Sequence, residues 1–249
     1  MSNVRKAGWR RSSRPWAVVV GMALLVPVNA AAERLLGTVS GFENLTNPVW
    51  SEAKDPAKRG YSFRELVPTV PAKYRKLFPH IPKELCLVAL SANEQKPPSS
   101  GVLVRVGGGR TTPVTLAVVP GTKLVFQNTD PFSHRLYGVG IQGFTPNETT
   151  RGAQREWTVP SAGTFEIRDE AAPSLRMWVV AEPHVAAIAY PSKKGEYALS
   201  VTEPGAYTVQ AYFAGEKVGA PIAAEANGKE QRLAPIAISS PKKTEDKAD

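Results

Sequence analysis

The chain of 249 residues holds a single cysteine, Cys86, and only three histidines, His80, His134 and His184. One cysteine rules out an intrachain disulfide and any zinc site built from paired thiolates. No apolar run reaches the ~20 residues that a membrane-crossing helix needs. No segment keeps a helical apolar period, which removes coiled coils and helical bundles. Catalytic patterns are missing too. There is no Ser-His-Asp spacing, no paired carboxylates of a cleft motif and no His/Cys/Asp cluster at metal-ligand spacing.

What is present begins with an address. Arg5, Lys6, Arg10, Arg11 and Arg14 precede an apolar stretch from Trp16 to Val28, and Ala30-Ala31-Ala32 supplies small residues for cleavage. Residues 1–32 therefore read as a signal peptide, and the protein is expected in a bacterial periplasm or cell envelope with no membrane anchor after cleavage. Arg10-Arg11 hints only faintly at twin-arginine export. The formal charge of +9 shrinks accordingly, because five of the 31 basic residues lie in this segment, against 22 acidic residues elsewhere. The remaining charges are scattered, without a basic run or interleaved aromatics, so nucleic acid is not an expected partner.

After residue 33 the pattern is strand and turn. Short runs rich in Val, Thr and aromatics alternate with Gly, Pro, Asn and Ser. Strands are expected at 35–40, 85–89, 102–106, 114–119, 123–127, 135–139, 155–159, 164–168, 176–181, 197–201 and 204–213, with one short helix at 71–77. The fold class is all-β, a sandwich or Greek-key barrel plus a smaller β-sandwich. Gly107-Gly108-Gly109 lacks the spacing and following helix of a phosphate loop, so it reads as a hairpin turn. Cys86, inside the apolar run 85–90, reads as a small buried hydrophobe.

One stretch is more specific. Pro120-Gly121-Thr122 is followed by Val125, Phe126, Asn128, Asp130 and then His134. It resembles the entry to the copper site of cupredoxins, the plastocyanin and azurin family, in which such a His is the first ligand. Val159-Pro160-Ser161-Ala162-Gly163-Thr164-Phe165 is similar to the strand leading into that family's ligand loop, and Met177-Trp178-Val179-Val180 to its closing strand. The resemblance covers 102–181 and implies a Cys, a His and a Met between them. The loop 168–177 supplies no Cys and no His. Asp169 takes the slot of the Cys, Ala172 that of the His and Leu175 that of the Met. Blue copper needs a thiolate and two imidazoles, and carboxylates do not substitute for that covalency.

A second resemblance lies downstream. Gly195-Glu196-Tyr197 with Pro204-Gly205-Ala206-Tyr207 resembles the carboxypeptidase-regulatory, transthyretin-like β-sandwich, at 182–240. Gly37-Thr38-Val39-Ser40-Gly41 is similar to that module's opening strand. The cupredoxin-like part would then be an insertion, with residues 33–101 supplying N-terminal strands and an irregular segment. Pairing of the first strand with 182–240 is the observation that such an insertion requires. Residues 241–249 read as a disordered tail.

These resemblances imply an exported, non-enzymatic binding or structural protein on a copper-free scaffold, with an envelope or periplasmic protein as partner. Phe132, His134, Arg135, Asp169 and Leu175 mark the barrel end where cupredoxins meet partners, and are the expected partner-binding face. The alternative is a residual non-blue copper or electron-transfer protein using His134. Asp169 and Glu170, as sequence neighbours, are expected to point apart on a solvated rim.

Overall fold

A computed structural model describes residues 32–46 and 79–239. The signal segment up to residue 31, the helix expected at 71–77 and the tail 241–249 lie outside the described residues. The described chain is almost entirely strand, with one 3-10 turn at Phe42–Asn44 and one helical turn at Ile81–Glu84. No helix among the described residues is long and apolar enough to cross a membrane.

The strands, in chain order, are β1 (Glu33–Ser40), β2 (Leu85–Ser91), β3 (Val102–Gly107), β4 (Arg110–Thr112), β5 (Thr115–Val118) and β6 (Lys123–Asn128). They continue with β7 (Leu136–Gly138), β8 (Gln154–Thr158), β9 (Gly163–Asp169), β10 (Arg176–Ala181) and β11 (Val185–Ala189). The last are β12 (Glu196–Val201), β13 (Gly205–Phe213), β14 (Glu216–Ala226), β15 (Gln231–Arg232) and β16 (Ile236–Ala237). They build four sheets, ordered β12-β1-β15 with β16 also on β1, β11-β2-β13-β14, β5-β10-β9-β7 and β4-β3-β6-β8.

The side-chain period of two shows how the sheets stack. In β2, Leu85, Leu87 and Ala89 enter one core with Leu35, Val39, Leu199 and Val209. The alternate residues Cys86 and Val88 enter another with Ala117, Val180 and Tyr212. Both faces of β2 are therefore buried, which is why its sequence is a continuous apolar run rather than an alternating one. The same division splits β10. Met177, Val179 and Ala181 face Val104, Leu124 and Phe126 in a third core, whereas Val180 faces β2. Two sandwiches result, packed against each other through β2, β13, β5 and β10. Each fully buried Leu or Val stabilises this stack by about 1.5–3 kcal/mol.

The strands before residue 102 pair with those after 181. β1 runs antiparallel to β12, with Gly37 opposite Tyr197 and Leu35 opposite Leu199, and parallel to β15 and β16. β2 lies between β11 and β13. Residues 102–181 lie between β2 and β11 in the chain and supply the other two sheets, in which β3–β6 and β5–β10 are parallel pairs.

Five strands go beyond those expected, β4, β11, β14, β15 and β16, of which all but β14 are short. β14 is a long strand at a sheet edge, built from a sequence with Gly219, Pro221 and four alanines, all poor strand formers. The edge position tolerates Pro221, whose missing N–H breaks no ladder. A bulge between Val209 and Ala211 adjusts its register against β13, and the Gln210 amide there donates to the carbonyls of Ala211 and Val218 at 3.0 and 3.1 Å.

Candidate functional site

His134 sits where three polar segments converge at one end of the 102–181 sandwich. β6 alternates, so that Leu124, Phe126 and Asn128 all point inward at 1 % exposure or less. The first two fill the core. Asn128, at the strand end, has every polar atom engaged. Its amide donates to the carbonyls of Phe132 and Thr149, both at 2.8 Å, and its Oδ1 accepts from the Asp130 N–H at 2.8 Å. That last bond closes a tight turn after β6. The chain then delivers His134 into a backbone bridge with Thr149, with N–H to O distances of 3.0 and 2.8 Å.

The His134 ring is fully buried, and both of its nitrogens face carboxylates. Nδ1 meets Asp169 Oδ2, and Nε2 lies 3.0 Å from Asp130 Oδ2. Asp169 is the inward residue at the end of β9, after Ile167 on the same face, and is 2 % exposed. Its other oxygen accepts from the N–H groups of Arg135 at 2.9 Å and Ala171 at 2.8 Å. Asp130 accepts from the Gly108 N–H at 2.6 Å and the Gly109 N–H at 3.0 Å. Those glycines form the two-residue turn between β3 and β4, with φ of 64° and 65°. Two consecutive positive φ values define the turn type that glycine allows without strain. The triple glycine is thus the expected hairpin turn, and its amides also bind a carboxylate.

Burial works against ionisation of Asp130, but the Gly109 and Gly108 amides and the His134 ring outweigh it and hold its carboxyl below the ordinary carboxylate value. Each ring nitrogen of His134 thus shares one hydrogen bond with a carboxylate oxygen.

The expected face divides. Phe132 is 46 % exposed, its ring 4.8 Å from the imidazole of His134. The side chain of Arg135 is exposed as well and pairs with Glu170 at 3.4 Å. His134, Asp169 and Leu175 are buried, so they are not surface residues. Leu175 belongs to the core between the two sheets. Only Glu170 of the adjacent pair lies on the rim, because the alternation of β9 carries Asp169 inward. The sequence assigns Gly108 and Gly109 only the role of a turn, and Asn128 and Asp130 only a place in the motif. The Asn-x-Asp of the motif was the available signal.

The residues present do not fit a blue-copper centre. Among the described residues no thiolate or second imidazole stands beside His134, and its nitrogens are committed to carboxylates. Cys86 is free and buried in the core between the sandwiches, where burial pushes its thiol up to about 11. His80 is exposed, while His184 is half-buried and its Nδ1 has no partner among the described residues. Among the described residues no group of three or more His, Cys, Asp or Glu could hold a metal ion.

Comparison with solved structures finds cupredoxins. The purple cupredoxin of Nitrosopumilus maritimus is 18 % identical, covering 32 % of this chain and 99 % of its own, with a TM-score of 0.31. An oxidized amicyanin mutant is 18 % identical over 39 % of this chain and 98 % of its own, with a TM-score of 0.32. The copper-containing nitrite reductase of Thermus scotoductus is 18 % identical, over 38 % of this chain and 25 % of its own, with a TM-score of 0.32. No family model and no curated protein matches the chain.

Proposed function

We propose that the protein is exported to the bacterial periplasm or envelope and acts there as a non-enzymatic binding or structural protein, on a cupredoxin-like scaffold that works without copper. One observation carries this reading. The imidazole at the first-ligand position of the resemblance has both nitrogens held by buried carboxylates. A metal would have to displace a carboxylate from each nitrogen it took, leaving a buried charge without its partner. The signal-like N-terminus supports export. Phe132 and Arg135, the exposed members of the expected face, remain the candidates for contact with an envelope protein.

The test is a titration of the exported chain with Cu(II) and Cu(I) against competing chelators, beside His134→Ala. Weak binding that the substitution leaves unchanged supports the copper-free reading. Tight one-to-one binding that vanishes in the variant overturns it, and makes this a non-blue copper protein. The partner face is read separately by Phe132→Ala with Arg135→Gln. Unchanged capture of an envelope partner by this folded double variant removes that face.

A further inference from the structure

Three segments remote in sequence meet around the ring of His134. The β3–β4 turn is tied to Asp130 by the amides of Gly108 and Gly109. The loop after β9 is tied to Asp169 by the amide of Ala171, and the entry to β7 by that of Arg135. Asp130 and Asp169 do not bond each other. The imidazole between them bonds both.

We propose that Asp130, His134 and Asp169 form a metal-independent crosslink that holds the 107–110 hairpin, the 129–134 turn and the 169–175 loop in one fixed arrangement, and so sets Phe132 at the surface. The inference deepens the copper-free reading and rests on it. A bound metal stabilises a fold by joining loops through one centre. Here the two ring nitrogens do the joining, each hydrogen-bonded to a carboxylate oxygen, and bonds to ionised groups are roughly twice as strong as neutral ones.

The amides of Gly108, Gly109, Arg135 and Ala171 all point at the carboxylates, and their dipoles favour negative charge there. With each carboxylate oxygen engaged, no acceptor of the cluster is left unsatisfied. Phe132 lies over the ring that the cluster fixes, so its exposed side follows the position of His134.

Amide hydrogen exchange of the exported chain tests the proposal, read at Gly108, Gly109 and Ala171. In His134→Gln all three amides should exchange faster by about tenfold or more, the effect of losing a charge-assisted bond. In wild type, EDTA or added Zn(II) should change none of them. Should His134→Gln fail to fold, Asp169→Asn decides. Asp169 does not touch Gly108 or Gly109, so faster exchange there reports coupling through the imidazole. Unchanged exchange at those glycines in Asp169→Asn, with no metal effect, overturns the crosslink and leaves the copper-free reading standing. Exchange in wild type that rises with EDTA, or falls with Zn(II), overturns both.

Discussion

The carboxylate of Asp169 meets the Nδ1 of His134 across a separation of 35 residues. Both side chains are wholly buried, and Asp130 holds the opposite ring nitrogen at 3.0 Å. Removing the imidazole would strand two carboxylates in the interior, and breaking a buried pair from one side typically costs 3–5 kcal/mol. His134→Ala is therefore expected to lower unfolding free energy by about 3 kcal/mol, measured by urea denaturation. Phe132→Ala, an exposed neighbour, should stay within about 0.5 kcal/mol of wild type. A His134→Ala loss below about 1 kcal/mol would mean that the cluster contributes little.

The sequence made some of this legible and hid the rest for physical reasons. β2 could be read because burial on both faces demands an uninterrupted apolar run. β13 could be read in part, because Tyr207 and Val209 face the core while Thr208 does not. β14 was hidden, since an edge strand with one neighbour tolerates Ala, Gly and Pro that a central strand would reject. At the site, Pro120 to His134 carried a motif strong enough to locate the histidine. The loop 168–175 showed which ligands were missing. It did not show that Asp169 turns inward, because a polar residue near a strand end reads as surface unless its buried partner is known. Asp130 was hidden likewise, its anchors being backbone amides, which any sequence supplies.

The turn carrying two of those amides offers a second test. Gly108 and Gly109 both have positive φ, and a Cβ added to either would meet no atom within 4 Å. Any cost of substitution is therefore conformational. Gly109→Ala should destabilise by about 1 kcal/mol, since the left-handed region disfavours a side chain by that order. Gly109→Asn should cost less, because Asn visits this region more readily. Equal costs in thermal denaturation would point to a steric or ligand role that the open space does not predict.

Two tyrosines at the junction between the sandwiches should respond differently to losing a hydroxyl. Tyr190 donates to the Thr115 carbonyl at 2.7 Å, joining the connector after β11 to β5. Tyr212 is 1 % exposed, and its hydroxyl has no hydrogen-bond partner among the described residues. Burial pushes that phenol up to about 12. Tyr190→Phe should cost about 1 kcal/mol, the net worth of one hydrogen bond. Tyr212→Phe should be neutral or stabilising by up to about 1 kcal/mol, because it removes a buried polar atom that gains nothing. Reversal of that order in paired urea titrations would show that Tyr212 has a partner and Tyr190 none.

Acid should reveal Asp130. Its carboxyl is held below the ordinary value of 3.8, because the glycine amides and His134 overcome the opposing effect of burial. A depressed folded value means that the unfolded chain binds the proton more readily. Its contribution is therefore complete above the unfolded value and disappears as pH falls through the folded one. Urea midpoints followed from about pH 5 down to about pH 2 should show this loss in wild type. Asp130→Asn should be less stable than wild type at the upper end, with a shallower slope, so that the two curves converge in acid. Parallel curves would place the acid sensitivity in another carboxylate and remove Asp130 from the account of how this end of the sandwich is held together.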